Sequence, residues 1–499
     1  MKQGLLVSIT VSSLRIRTAR NLSYMGASQV LIVALNFITL TVLANLLTTE
    51  DMGIISIALV FLSLLYNIHD FGIMSAVIQR DTRVEESIAA AISLRWIISA
   101  VLIVSVVVLS PILSDLMGIS DLWLVMVVLC VNLIALNFAF APQAKLSRDL
   151  SFSHLAIANT AQAALLAIVA IPLAVIDGSY WSFVLGSLAG TAGYVLTLNI
   201  FRKASSAPSK DLALGKELLA YGKHLLASGL MMFVIVYVDQ IVIAGALGVA
   251  TLGIYFIAVR FGRTIGEQIA LTINRVLFPT LSRVKDDLGL MKRGFVQSLR
   301  IISIVATPIA AGMSAASPLI VKVLLGPEWI PAIFPLSVLC FHGLANALSP
   351  SAANVIMAVG KPKYMAIQAG AQAASIVILI YPAAYYFGID GVAVLSTALA
   401  LCFMAYLWWV SASILKSGVR EIIRPAVPSL LSGAVMFVPS AWLAHELPAD
   451  LLSLIGVLAF AALLYVAVLY AMTRGRDVKD AIDLAKTMFS RRAADEPAM

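Results

Sequence analysis

Stretches of about twenty consecutive apolar residues recur along almost the whole chain, and this feature constrains its fold more than any other. A helix needs roughly 20 such residues to cross the hydrocarbon core of a bilayer, and only helices or closed barrels satisfy their backbone polar groups there. Runs this long and uninterrupted select helices. In order they predict spans at residues 25–47, 53–78, 87–110, 121–141, 154–176, 180–201, 224–245, 252–274, 300–325, 331–358, 365–387, 391–414, 425–445 and 451–473. Only 12% of the 499 residues are charged, against about 25% in a soluble domain. No stretch between spans is long enough for a water-soluble domain. The expected fold class is therefore an all-α polytopic membrane protein with about 14 transmembrane helices. Transporter, channel, intramembrane enzyme and scaffold are the function classes left.

The loop charges test this count, because Lys and Arg collect on the cytosolic side of a membrane. Assigned to alternate sides, all but four of the 34 basic residues fall on one face, which also holds both ends of the chain. The other face carries Lys322 with Glu50, Asp51, Asp115, Asp121, Asp177, Asp390, Glu446 and Asp450. A single miscounted span would scramble this alternation. The net charge of +8 is thus topological, with a secondary affinity for anionic membrane lipid, and no nucleic-acid partner is expected. Residues 1–24 lack a small-residue cleavage site after a short apolar core and read as a cytosolic segment rather than a signal peptide. Cys130, Cys340 and Cys402 lie singly in apolar runs, as small apolar side chains.

Duplicated halves are common in transporters. At an offset of 200, LANLLTTEDMGIISIA (Leu43 to Ala58) aligns with IAGALGVATLGIYFIA (Ile243 to Ala258). Both segments sit at the turn between the first two helices of a six-helix set, so the halves would be parallel, pseudo-symmetric lobes. The expected organisation is an N-lobe at 25–201, a cytosolic linker at 202–223, a C-lobe at 224–414, two further helices within 415–473 and a cytosolic tail at 474–499.

Charge within the spans needs its own explanation, since an ionised side chain at a helix centre costs about 2.5–3.5 kcal/mol on insertion scales. Arg95 lies some eight residues into span 3, where it either snorkels to the cytosolic headgroups or serves the interior. In span 8, Arg260, Arg263 and Glu267 share one helical face, with Thr264 and Asn274 near it. Counted from the turn at Gly248, Asp239 on span 7 is nearly at the depth of Arg260, which predicts an Asp239–Arg260 pair beside an Arg263–Glu267 pair. Alternatively an arginine faces a hydrated cavity and grips an anion such as phosphate through its planar fork. Span 1 offers Gln29, Asn36 and Thr39, and span 2 ends in Tyr66, Asn67, His69 and Asp70, read as a polar helix end or a proton carrier. His342, Asn346, Ser349 and Asn354 in span 10 suit hydrogen bonds between helices better than sugar hydroxyls. Trp123, Trp181, Trp329 and Trp442 fall near span ends, as an aromatic belt would place them. No phosphate loop, metal-spaced cluster or nucleophile elbow is found, so neither a cofactor nor an enzymatic activity is expected.

The segments TVLANLLTTEDMGIISIALVF (Thr41 to Phe61), HDFGIMSAVIQR (His69 to Arg80), PQAKLSRDLSF (Pro142 to Phe152), GSYWSFVLG (Gly178 to Gly186), VDQIVIAGALGVATLGIYFIAVR (Val238 to Arg260), RVLFPTLS (Arg275 to Ser282) and LLGPEW (Leu324 to Trp329) carry a resemblance. From about Ser23 to Met472 the chain resembles the polysaccharide transporter branch of the multidrug, oligosaccharidyl-lipid and polysaccharide exporter superfamily. The resemblance implies a Wzx-type, inner-membrane flippase of lipid-linked oligosaccharide, serving exopolysaccharide, capsule or O-antigen (lipopolysaccharide) assembly by alternating access. It also implies polysaccharide polymerase and assembly proteins as partners, and coupling to proton, sodium or membrane potential. Basic residues of spans 1 and 8 grip the diphosphate in related lipid-diphosphate flippases, which points to Arg260 and Arg263 here. Span 1 has no basic residue of its own, so Arg20 before it or Arg95 would substitute. Asp239, Glu267, Asp70, His69, Gln29 and Asn36 are the further cavity or coupling candidates. A cation-coupled drug exporter of the same superfamily and an intramembrane polymerase or ligase of lipid-linked sugars are the rival readings.

Overall fold

The computed structural model describes residues 26, 28–203, 209, 211–264 and 287–476, and among them there is no β-strand. The helices follow the apolar runs. They are α1 (Ser28–Leu46), α2 (Thr49–Asp70), α3 (Ile73–Gln79), α4 (Val84–Met117), α5 (Leu122–Leu129), α6 (Val131–Arg148), α7 (Phe152–Asp177), α8 (Trp181–Phe201) and α9 (Leu212–Leu247). After the turn at Gly248 come α10 (249–264), α11 (Leu288–Ala315), α12 (Ser317–Ile320), α13 (Ile333–Ala358), α14 (Lys363–Ile414), α15 (Val419–Ile423), α16 (Val427–Glu446) and α17 (Leu451–Thr473).

Twelve helices among the described residues are long and apolar enough to cross a bilayer. One of them, α14, spans 52 residues but turns at Gly388, whose φ of 59° and ψ of −150° are open to glycine and strained for other residues. Its two arms are the expected spans 11 and 12. The count of fourteen further requires a crossing by α10, whose continuation lies outside the described residues.

The chain divides into two compact units at Phe233/Val234. The division falls inside α9, which begins at Leu212, within the stretch expected to be a linker. Contacts in the first unit explain this. Asp211 caps α9 by accepting from Leu214 N–H at 3.0 Å and pairs with Arg83 at 3.2 Å. The bond from Leu214, with Arg83 alongside, holds Asp211 below the usual carboxylate range. Arg80 pairs with Glu217 at 2.5 Å, and Tyr221 donates to Gln79 at 2.7 Å. The first half of α9 is thereby fastened to the end of α3 and the turn between α3 and α4. At the earlier α2–α3 break, Phe71 and Gly72 both take the left-handed conformation.

The carbonyls left open at the end of α3 are met by Arg148. Its Nη1 donates to Val77 O at 3.0 Å, Ile78 O at 2.9 Å and Arg80 O at 2.5 Å. Cations at helix C-termini and hydrogen bonds to charged groups each contribute measurably to stability. Arg148→Ala is expected to lower the unfolding free energy by about 1–2 kcal/mol, read as a lower melting temperature of the purified protein. An unchanged melting temperature would show that these bonds add nothing net.

In the second unit α11 packs against α13, α16 and α17, around buried Phe295, Leu299, Ile302 and Trp408. Of the tryptophans expected in an aromatic belt, Trp123 and Trp442 are 42% and 65% exposed, Trp181 is half-buried and Trp329 is buried. That residue is 1% exposed because a short 3₁₀ turn, Pro327–Ala332, folds it back onto the protein.

The sixteen-residue repeat is visible in the burial pattern. Residues 43–58 and 243–258 are buried, half-buried or exposed alike at every position except 47/247 and 54/254. The turn itself differs. Thr48 closes α2 with a reciprocal capping box to Asp51, whereas Gly248 supplies a φ of 89°.

Candidate functional site

Hydrophobic packing does not explain polar side chains in spanning helices. Among the described residues two buried arginine–aspartate pairs with their polar neighbours form nodes, one in each unit.

The first node exists because α2 stops at Phe71, which leaves His69 and Asp70 in its last turn. Arg95 reaches them from α4 and is 6% exposed. Its Nη2 donates to His69 Nδ1 at 3.0 Å, its Nη1 lies 3.4 Å from Asp70 Oδ1, and its guanidinium carbon is 4.7 Å from the centroid of the Phe140 ring. Arginine has only donors, so Nδ1 of His69 accepts and the ring proton sits on Nε2. That N–H faces Asn137 Oδ1 at 3.1 Å and Ser99 Oγ at 2.9 Å, and Asn137 Nδ2 donates to Ser99 Oγ at 2.9 Å. His69 is thereby held as a neutral ring. Arg95 is buried against these acceptors rather than extended along the protein surface.

Asp70 differs from its partners. Its side chain is 43% exposed and lines a cavity of about 300 Å³ with Tyr66, Asn67, Gly72, Ser75, Leu225 and Leu226.

The second node joins α9 to α10. Asp239 is 1% exposed, and its Oδ2 accepts from Arg263 Nη1 at 3.1 Å and Tyr255 Oη at 2.9 Å, while Oδ1 accepts from Gln240 N at 2.8 Å. The expected partner was Arg260, by depth below the turn. Side-chain direction corrects this. Cα–Cβ bonds tilt toward a helix's N-terminus, which lies away from the turn on α9 and toward it on α10. Side chains of the two helices therefore converge when the α10 residue is the deeper one. Arg263, some 9 Å further along the axis from the turn than Asp239, meets it. Arg260 instead sets its guanidinium 5.1 Å from the Phe256 ring centroid and is half-buried.

Of the other candidates, Gln29 is half-buried and Asn36 exposed on α1. His342 Nδ1–H donates to the Ser396 carbonyl at 3.2 Å, a bond between helices as expected. Arg20, Glu267 and Asn274 lie outside the described residues. Sequence reasoning missed Ser99, Asn137, Phe140 and Tyr255. Ser99 lies one turn from Arg95 and Asn137 interrupts an apolar run, and both signals were available. Among the described residues no three His, Cys, Asp or Glu side chains gather as a metal site would need.

A family model described as "Polysaccharide biosynthesis protein" matches residues 42–334. The lipopolysaccharide biosynthesis protein WzxC of Escherichia coli (strain K12) is 25% identical over 355 residues, 69% of this chain and 71% of that protein. The teichuronic acid biosynthesis protein TuaB of Bacillus subtilis (strain 168) is 26% identical over 301 residues, 58% of this chain and 61% of that protein. Among solved structures, the lipid II flippase MurJ in an inward closed conformation superimposes with a TM-score of 0.73 at 14% identity, over 91% of this chain and 99% of that one. At that identity the likeness concerns the fold.

Proposed function

The chain belongs to the polysaccharide biosynthesis protein family, and on that premise we propose that it is a flippase moving polyprenyl-diphosphate-linked oligosaccharide across the inner membrane by alternating access. The observation that carries this reading is the family match over residues 42–334 of a chain built almost wholly of membrane-spanning helices. Relatives named for lipopolysaccharide and teichuronic acid biosynthesis support a role in building a surface polysaccharide. A structural neighbour named a lipid II flippase supports lipid translocation.

Sugar hydroxyls and phosphates exchange water for protein partners during passage, which lowers the barrier of the hydrocarbon without making a bond. The chain would stand in the inner membrane with both termini in the cytosol, beside polysaccharide polymerase and assembly proteins. A cation-coupled drug exporter is disfavoured by Asp239, a deeply buried acid whose carboxylate is already occupied by Arg263, Tyr255 and a backbone N–H.

Purified protein in liposomes tests the reading. Translocation of a defined polyprenyl-diphosphate oligosaccharide with no covalent change supports it, and a changed product or no movement sinks it. Arg260 is the arginine of α10 that is not fully buried. Losing a charge-assisted hydrogen bond removes about 1.5–3 kcal/mol, so Arg260→Ala should slow translocation roughly 10–100-fold at normal abundance. Unaltered translocation by Arg260→Ala would remove that residue from the phosphate site.

A further inference from the structure

The two nodes each join one arginine to one aspartate, yet only one of them can exchange its partner. Asp239 and Arg263 are 1% and 5% exposed, and both carboxylate oxygens of Asp239 already accept hydrogen bonds. Asp70 and Arg95 stand further apart, at 3.4 Å, and the aspartate side chain is 43% exposed while the arginine side chain is 7% exposed. Nε of Arg95 has no hydrogen-bond partner. One wall of the node is therefore a carboxylate that water in the cavity reaches, and behind it lies a buried cation with unused donor capacity.

We infer that Asp70 is an exchangeable proton site and the removable counter-ion of Arg95. A proton arriving through the cavity neutralises Asp70 and releases Arg95, and a phosphate group of the transported lipid then takes the place of the carboxylate. This inference rests on the flippase reading for the identity of that anion.

The surroundings support a proton at Asp70 rather than at its neighbours. His69 is fixed as a neutral ring between Arg95 and the Asn137 and Ser99 side chains, so it accepts no proton while Arg95 stays in place. On the same helix Tyr66 lines the cavity. From α4 comes Arg95, from α6 the uncharged Asn137 and Phe140, and from α8 Tyr194, within electrostatic reach of Arg95. The residues after α2 add Gly72 and Ser75, and α9 adds Leu225 and Leu226, with Lys223 and His224 exposed beside them. Arg95 is the one cation in contact with the Asp70 carboxylate among the described residues. A buried arginine that loses its counter-ion is strongly disfavoured until another anion replaces it. Protonation and anion binding are therefore coupled, and each favours the other.

The test uses the full chain in detergent, a polyprenyl diphosphate as the probe, and proton uptake read with a pH indicator. The wild type should take up close to one proton more per bound diphosphate than Asp70→Asn. The probe's own protonation is common to both proteins and cancels in this difference. Asp70→Asn should bind the probe at neutral pH at least tenfold more tightly than the wild type, and its affinity should lose the pH dependence that Asp70 gives the wild type. Asp70→Glu should restore uptake. Equal uptake and equal affinity in the wild type and Asp70→Asn would overturn the inference, as would a sodium dependence that Asp70→Asn alone loses. In liposomes, identical pH profiles of translocation for both proteins would overturn it and leave the flippase reading intact. Linked binding and uptake with no translocation by the wild type would sink the flippase reading alone.

Discussion

Asp239→Ala is expected to cost the cell most of its folded protein, and the second substitution Arg263→Met is expected to return much of it. The reason lies in the asymmetry of buried ion pairs. Removing one partner leaves an uncompensated charge and typically destabilises by about 3–5 kcal/mol, whereas replacing both with apolar groups is often neutral. Asp239 has no exposed atoms to speak of, and Arg263 is 5% exposed, so neither can turn to water when the other is lost. Against a total stability of about 5–15 kcal/mol, a loss of that size removes a large part of the folded population. Arg263→Ala should fail in the same way, by stranding Asp239 with only Tyr255 and the Gln240 N–H. Abundance in the membrane and thermal unfolding of purified protein are the measurements. Wild-type abundance for Asp239→Ala would show that the node is not a structural clamp. A double variant no better than the single one would show that the cost lies in shape rather than in charge. If the double variant accumulates, its translocation rate tells whether the clamp also serves transport.

This expectation changes the role of Arg263 from the one its position in the sequence implied. An apolar run fixes where a helix lies, and a charge within it marks a residue that needs a partner, so Arg95, Asp239, Arg260 and Arg263 were all legible as exceptions. The partners were not. Depth below the turn at Gly248 pairs Asp239 with Arg260, and only the opposite tilt of side chains on two antiparallel helices moves the contact to Arg263. Arg95 and the helix end at His69–Asp70 were each visible, but nothing in a linear chain says that α4 brings Arg95 against that end. The sixteen-residue repeat was legible from the 200-residue offset, and burial follows it at most positions even where the residues differ. The start of α9 was harder to place. Its first turns carry Lys216, Glu217 and Lys223, which read as a polar linker until the cap at Asp211 and the ion pairs to Arg80 and Arg83, just after α3, are seen.

The α2–α3 break at Phe71–Gly72 sets the second large effect. Gly215, Gly222 and Gly229 recur every seventh residue of α9 and therefore share one face, but the space beside them differs. A Cβ at Gly222 would lie 2.0 Å from the Phe71 carbonyl oxygen, a backbone atom fixed by the left-handed turn at Phe71–Gly72. At Gly229 it would meet the Asn67 Oδ1 at 2.9 Å, the end of a side chain that can rotate, and at Gly215 it would meet nothing within 4 Å. Gly215→Ala should therefore be neutral or stabilising by up to about 1 kcal/mol, the helix-propensity gain of alanine over glycine. Gly222→Ala has the same propensity gain and must still separate two backbones, so a net loss of about 1–3 kcal/mol is expected, and more for Gly222→Val. The loss should also reach the node, because Leu225 on the same face closes the cavity beside Asp70 and contacts Gly72. Melting temperatures of the three alanine variants, taken with proton uptake on adding a polyprenyl diphosphate, separate the two consequences. Gly222→Ala as stable as Gly215→Ala would mean that α9 does not need this close approach. Lower stability with unchanged uptake would mean that the contact holds the helix but leaves the Asp70 cavity alone.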